Sequence, residues 1–307
     1  MKEILLNPQL WAATLAMATP LALPALGGTF SERSGVVNIA MEGIMLIAAF
    51  FAVMFAHMTG NAWIGLLGAI VVGLIVALIF AWAAVSLTAN QIILGMAINI
   101  FASGVTAYLL NTIYGFTGTP VDTPMLPTVE IPIIKDIPFV GHVLSGHSVI
   151  VYLMIIILFI SDYFLFHTNL GLRLRAVGEN PEAAETAGID VIKLRYLGVA
   201  LSGLLSAMGG AYLSIGALNS FNPDMTSGRG YIALAAMIFG KWTPFGSFGA
   251  SLLFGFATAL SMQLQNTAFS KNLIMMLPYA LTILALVGIG GKSVPPAADG
   301  VPYTPKK

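Results

Sequence analysis

The chain has 307 residues, 58% hydrophobic and 8% charged, with 13 basic and 13 acidic side chains and a mean hydropathy of +0.90. A soluble domain carries about 25% charged residues, so polar surface is too scarce here to cover a globule in water, and the solvent must be lipid. Zero formal net charge gives no bulk electrostatic case for nucleic acid; the lack of cysteine removes disulfides, Cys-based metal sites and thiol catalysis; four scattered histidines make no zinc spacing.

A hydrocarbon core about 30 Å thick needs about 20 apolar residues of helix. Runs of that order lie at 10–28, 36–56, 62–87, 91–114, 148–166, 196–218, 245–263 and 272–291, with a shorter one at 230–242. They are continuous rather than alternating and rich in Leu, Ala, Met and Gly, which selects helices over barrel strands. The expected fold is all-α: a polytopic transmembrane helix bundle, a single domain over 1–307, with about 8–10 membrane segments including broken or short helices. Lys2 is offset by Glu3, a weak leader n-region, so 10–28 is expected to be a first span rather than a cleaved leader.

Between the first two runs stands GGTFSERSGVVNIAMEGIML, residues 27–46. Pro20 and Pro24 are expected to disturb the preceding helix, and Gly27, Gly28 and Gly35 permit an unwound stretch. Asn38 and Glu42, four apart, are then expected on one helix face. A mid-membrane carboxylate costs about 2.5–3.5 kcal/mol on insertion scales, so it faces the bundle or a water-filled cavity. Two roles stay open for Glu42. It lines a pathway, or it bonds backbone amides, Asn38 or Arg33 and holds the broken helix together. Asn90, Gln91, Asn99, Asn111, Phe221 and Tyr231 are further pathway candidates, because amide hydrogen bonds with aromatic stacking suit a nucleobase. Their ordinary alternative is helix packing and interfacial aromatics. RGYIALAAMIFG at 229–240 faintly echoes 33–44, as an inverted repeat would.

Two hydrophilic stretches set the orientation. Residues 115–147 hold Asp122, Glu130 and Asp136 against Lys135, whereas 167–195 hold Arg173, Arg175, Lys193 and Arg195. The positive-inside rule places the second in the cytoplasm and, one span away, the first outside. If 230–242 crosses, the N-terminus is outside and the C-terminus inside. Arg33, Lys241, Lys292, Lys306 and Lys307 then join the four cytoplasmic cations, leaving Lys2, Lys135, Arg229 and Lys271 outside. Small residues spaced by four, Ser202/Ser206, Gly203/Ala207, Gly246/Ala250 and Gly255/Ala259, predict close helix contacts.

Residues 178–190 read GENPEAAETAGID. Asn180 is a good N-cap, Pro181 suits the first helical position, Glu182 complements the dipole and Gly188 supplies a stop. The result is a helix of about two turns, too short to persist alone in water. Ala183, Ala184 and Ala187 make a smooth side, with Glu182 and Glu185 on the other. Such a helix either docks in a partner's groove or rests on its own bundle.

Four blocks, FSERSGVVNIAMEGIML (30–46), ANQIILGMAINI (89–100), LRAVGENPEAAETAGI (174–189) and GRGYIALAAMIFGKWTPFG (228–246), resemble the permeases of nucleoside-type ATP-binding-cassette importers, relatives of those for branched-chain amino acids and ribose-like sugars. The resemblance covers nearly the whole chain, with the blocks in the family's order. It implies a multi-pass subunit of the bacterial plasma (inner) membrane, a second permease chain in a heterodimer, a separate ATPase carrying ATP and Mg, and an extracytoplasmic substrate-binding lipoprotein. It also implies a coupling helix at Gly178, Glu179, Asn180, Pro181, Glu182, Ala183, Ala184, Glu185, Thr186, Ala187 and Gly188. No cofactor is expected on this chain. It contains no P-loop: Gly291-Lys292-Ser293 imitates the motif's end, but Leu286 stands where its first part requires glycine. An ion-coupled secondary transporter is the alternative, with Glu42 and Asp162 its obvious intramembrane acids. A membrane enzyme is disfavoured because no nucleophile, base and orienter assemble from these motifs.

Overall fold

The computed structural model describes residues 6–115, 119, 122–132, 137, 139–264 and 294–305. In chain order, α1 is Pro8–Arg33, α2 Met41–Thr59, α3 Ala62–Ser86 and α4 Gln91–Tyr114. A two-stranded ribbon pairs β1 (Thr128–Val129) antiparallel with β2 (His147–Ser148), around the short α5 (Val140–Leu144). Then follow α6 (Val149–His167), α7 (Asn169–Glu179), α8 (Pro181–Thr186), α9 (Val191–Ala217), α10 (Arg229–Phe239) and α11 (Pro244–Leu264). Among the described residues, seven of these helices are long and apolar enough to span a membrane, and α10 is a shorter apolar helix. The expected run at 272–291 lies outside the described residues.

Helices α1 and α9 form the centre and α4 the periphery: 83% of the α9 span is buried against 17% of α4. Small residues make the central contacts close. A Cβ on Gly27 would stand 2.9 Å from the Ser202 carbonyl oxygen, one on Gly255 2.7 Å from the Ala18 nitrogen, and Gly203 abuts Ala77. Three of the four spacing-four pairs therefore supply a contact between helices. Gly246 instead meets the carbonyl of Gly240, in the turn before its own helix.

The prolines do not break α1. It runs unbroken through Pro20, Pro24, Gly27 and Gly28 to Arg33. Gly209 of α9 lies opposite, where an added Cβ would come within 3.1 Å of Pro24 Cδ, so the neighbour leaves room for the ring. A packed helix in lipid keeps its course past proline when neighbours fill the gap. The unwound link is 34–40, turned by Gly35 at φ +86°. Asn38 therefore sits in this link and not on a helix face shared with Glu42.

The ends of the bundle are distinct. At one end lie the foot of α1, the 34–40 link, α7, α8, the start of α9 and residues 294–305. Contacts there include Ala298 N–H donating to the Gly178 carbonyl at 2.9 Å and Arg33 Nε donating to the Trp242 carbonyl at 3.0 Å. At the other end Leu126 N–H donates to the Ile215 carbonyl at 2.9 Å, beneath the β-ribbon. The described C-terminal residues thus share an end with 167–195, as expected if 230–242 crosses.

Helix α10 has 11 residues, about 16 Å, half a bilayer core. The irregular segment 218–228 completes the crossing from the end of α9. Non-helical backbone at that depth must be covered by protein or line a cavity. Phe221 within it is 1% exposed and packs on Phe50, ring centroids 5.3 Å apart. Arg229, expected outside, instead opens α10 inside the bundle and bonds the carbonyls of Met225 and Thr226. The echo between 33–44 and 229–240 sets a helix end against a helix start, so it marks no repeated element.

Candidate functional site

The break after α1 and the late start of α10 bring two helix N-termini together. Glu42, in the first turn of α2, points at the other one. Its Oε1 accepts the Gly228 N–H at 2.8 Å and its Oε2 the Gly230 N–H at 2.6 Å. These amides belong to the start of α10, where N–H groups lack helical partners and the dipole favours an anion. Gly230 admits the approach, since a Cβ there would stand 2.5 Å from the Glu42 nitrogen. Of the two roles open to Glu42, the bond to backbone amides is observed. Its partners are Gly228 and Gly230, not Asn38 or Arg33.

Asn99 joins the same place from α4. Its Oδ1 accepts the Gly43 N–H at 2.8 Å, and its Nδ2 donates to the Ile39 carbonyl at 3.0 Å and the Tyr231 hydroxyl at 2.8 Å. One helical turn along, Ser103 Oγ donates to Asp224 Oδ1 at 2.7 Å. Glu42, Asn99, Ser103, Asp224, Thr226 and Tyr231, with Leu46, Met96 and Ile100, line a cavity of about 390 Å³. It has the size and composition of a small-solute site: an apolar wall, an aromatic ring and a few placed polar groups. It opens beside α4, where Ile100 is 75% exposed. Elsewhere a cavity of about 460 Å³ between α1, α5 and α11 is lined almost wholly by apolar side chains such as Trp11, Leu253 and Phe256.

Three of the eight sequence candidates meet here: Glu42, Asn99 and Tyr231. The others have local partners. Asn38 Nδ2 donates to Ser202 Oγ at 2.9 Å, Asn90 caps α4 by accepting the Ile92 and Ile93 N–H groups, and Gln91 Oε1 accepts the Val37 N–H at 2.7 Å. Phe221 is packed as described, and Asn111 is exposed near the end of α4. Ser103, Asp224 and Thr226 escaped sequence reasoning. Ser103 stands four residues after Asn99, a spacing that could have pointed to it, whereas Asp224 lies between apolar runs with no such signal.

The α8 segment forms as its caps dictate. Asn180 Oδ1 accepts the Ala183 N–H at 3.0 Å, and after Gly188, at φ +78°, the Ile189 N–H closes back on the Ala184 carbonyl at 3.0 Å. Its faces differ from the expected split. Ala184 is 4% exposed and packs with Val177, Val191, Leu194 and Tyr303. Glu182, Ala183, Thr186, Ala187 and Gly188 are exposed, and Glu185 is half-buried. The outward face is thus Ala183 and Ala187 with Glu182 and Thr186, because Ala184 is needed to seat α8 on its own protein.

A family profile described as branched-chain amino acid transport system / permease component matches residues 10–286. The chain is 46% identical to the guanosine ABC transporter permease protein NupQ of Bacillus subtilis, covering 95% of each. It is 38% identical to the nucleoside ABC transporter permease protein NupC of Lactococcus lactis, covering 96% of each. The ribose import permease protein RbsC of Escherichia coli is more distant, at 24% over 71% of this chain and 65% of its own. Among solved structures, an inward-facing metal-chelate type ABC transporter shares the fold with a TM-score of 0.52 at 16% identity, covering 91% of this chain and 85% of that one.

Proposed function

The chain belongs to the family of branched-chain amino acid transport system permease components, and from that premise we propose that it carries nucleosides inward for an ATP-driven importer. It is a multi-pass permease subunit of the bacterial inner membrane. The observation that carries the substrate reading is the cavity where Asn99, Tyr231, Ser103 and Asp224 converge beside the Glu42-held start of α10. A nucleoside offers an aromatic base for Tyr231 to stack on and hydroxyl and amide groups for the others to bond. The names of the 46% and 38% identical relatives, a guanosine and a nucleoside permease, point the same way.

The remaining parts extend this reading, supported by the exposed faces of α8 and α4. The outward face of α8, with Ala183 and Ala187, is where an ATPase holding ATP and Mg docks. The exposed side of α4 meets a second permease chain, closing the cavity's open flank. The end bearing the β-ribbon receives the substrate-binding lipoprotein. Ion coupling is less well supported, because both oxygens of Glu42 are engaged by backbone amides. Reconstituted with its partners in proteoliposomes, the complex should import guanosine with ATP present and no ion gradient. Uptake that follows a proton or sodium gradient without ATP would refute the proposal. Import of leucine or ribose but no nucleoside would refute its substrate.

A further inference from the structure

Residues 294–305 lie across the end of the bundle that carries α8, and their contacts reach α7, α8, the start of α9 and the foot of α1. Ala298 N–H donates to the Gly178 carbonyl at 2.9 Å, ahead of α8, and Tyr303 Oη donates to Glu185 Oε2 at 2.5 Å, within it. The Tyr303 ring completes the apolar cluster under Ala184. Arg195, 1% exposed at the start of α9, donates Nη1 to the Val301 carbonyl at 2.9 Å. On the inner side the Asp299 carboxyl faces that of Glu32, at the foot of α1. Glu32 also accepts the indole N–H of Trp242. Trp242 and Lys241 form the turn below α10, both in the left-handed region at φ 52° and 55°, with Arg33 bonding their two carbonyls.

We propose that residues 294–305 are a transmission strap, with Asp299 and Tyr303 as positioning residues that pass displacement of α8 to the foot of α10. The path runs from Glu185 and Gly178 through the strap to Asp299, Glu32 and Trp242, and then along α10 to the amides held by Glu42. The strap takes the inner face of α8 and leaves Ala183 and Ala187 exposed, so it serves a partner-bound α8 as readily as a free one. This inference rests on the reading of α8 as the ATPase-docking element.

The test uses the reconstituted complex with Tyr303→Phe, Asp299→Ala and Asp299→Asn, measuring ATPase co-purification, basal hydrolysis and uptake per ATP consumed. Tyr303→Phe removes one oxygen, and Asn keeps a group able to bond Glu32. Tyr303→Phe and Asp299→Ala should retain the ATPase and basal hydrolysis while uptake per ATP falls about fivefold, the scale of one lost hydrogen bond, and Asp299→Asn should recover most of it. Unchanged uptake per ATP in both would overturn the strap, as would loss of the ATPase from the Tyr303→Phe complex, since the tail would then build the docking surface. Ala187→Arg separates the underlying reading. If it keeps both ATPase and uptake, α8 is not the docking element, whatever the strap variants do.

Discussion

The two ends of α10 are each held by a glutamate, and the difference between them shows how a half-length helix is used. At the upper end Glu42 bonds two amide N–H groups directly, beside a cavity open on one flank. At the foot Glu32 acts through the Trp242 indole, both buried, with Arg33 on the turn carbonyls. The upper carboxylate complements the helix dipole and borders the cavity; the lower one faces only protein and is 3% exposed. A half-helix with one end at the cavity and the other clamped at the end that carries α8 can report movement from one to the other.

Breaking the upper hold should have the largest effect. Glu42→Ala leaves the Gly228 and Gly230 amides without their acceptors and should cost about 2–4 kcal/mol, with uptake lost, read by thermal unfolding of the purified complex and by transport. Glu42→Gln keeps one carbonyl oxygen but turns an NH₂ toward the second amide, so it should fall between wild type and Ala. Wild-type stability in Glu42→Ala would show that α10 needs no such anchor. Breaking the lower hold is milder. Trp242→Phe keeps most of the packing and removes the bond to Glu32, costing about 1–2 kcal/mol, with uptake per ATP falling further than stability. A loss of stability with coupling unchanged would detach the foot of α10 from transmission.

The smallest effect is a pH dependence of the strap. Burial pushes the Asp299 carboxyl up to about 7, with Glu32 of α1 and Arg195 of α9 facing it. A raised carboxylate pKa in the docked state means docking is fullest below the ordinary carboxylate range, weakens as pH rises toward 7, and changes little beyond. Protease cleavage within 294–305 should therefore accelerate from pH 5 to 7.5 in wild type and stay level in Asp299→Asn. A flat wild-type profile would remove Asp299 from the latch.

Glu42 was visible in the sequence because a carboxylate inside an apolar run has few places to go. The long spans were visible for the same reason in reverse, and α10 showed as a run shorter than the others, expected to cross. Glu32 and Arg195 were hidden. Beside loops they read as flanking charges, and the segment that buries them, 294–305, lies far along the chain. Ala184 was misplaced similarly: two turns of helix offer two plausible apolar faces, and packing against Val177, Val191, Leu194 and Tyr303 settles which is inward. The course of α1 past Pro20 and Pro24 depended on the space left by Gly209, a property of a neighbour and not of the segment. Asn38, Asn90 and Gln91 looked like pathway residues because an amide in a membrane run suits a ligand or a backbone group equally well.

The central claim is that solute passes the cavity at Glu42, Asn99 and Tyr231. The chain has no cysteine, so single ones can be introduced without background. Ser103→Cys, in the cavity, and Leu253→Cys, in the apolar groove beside α1 and α11, should be labelled by a small maleimide in the actively importing complex, with and without guanosine. The account predicts that guanosine slows labelling at 103 and leaves 253 unchanged. Equal labelling at 103 with and without guanosine, in a complex shown to import it, would contradict it.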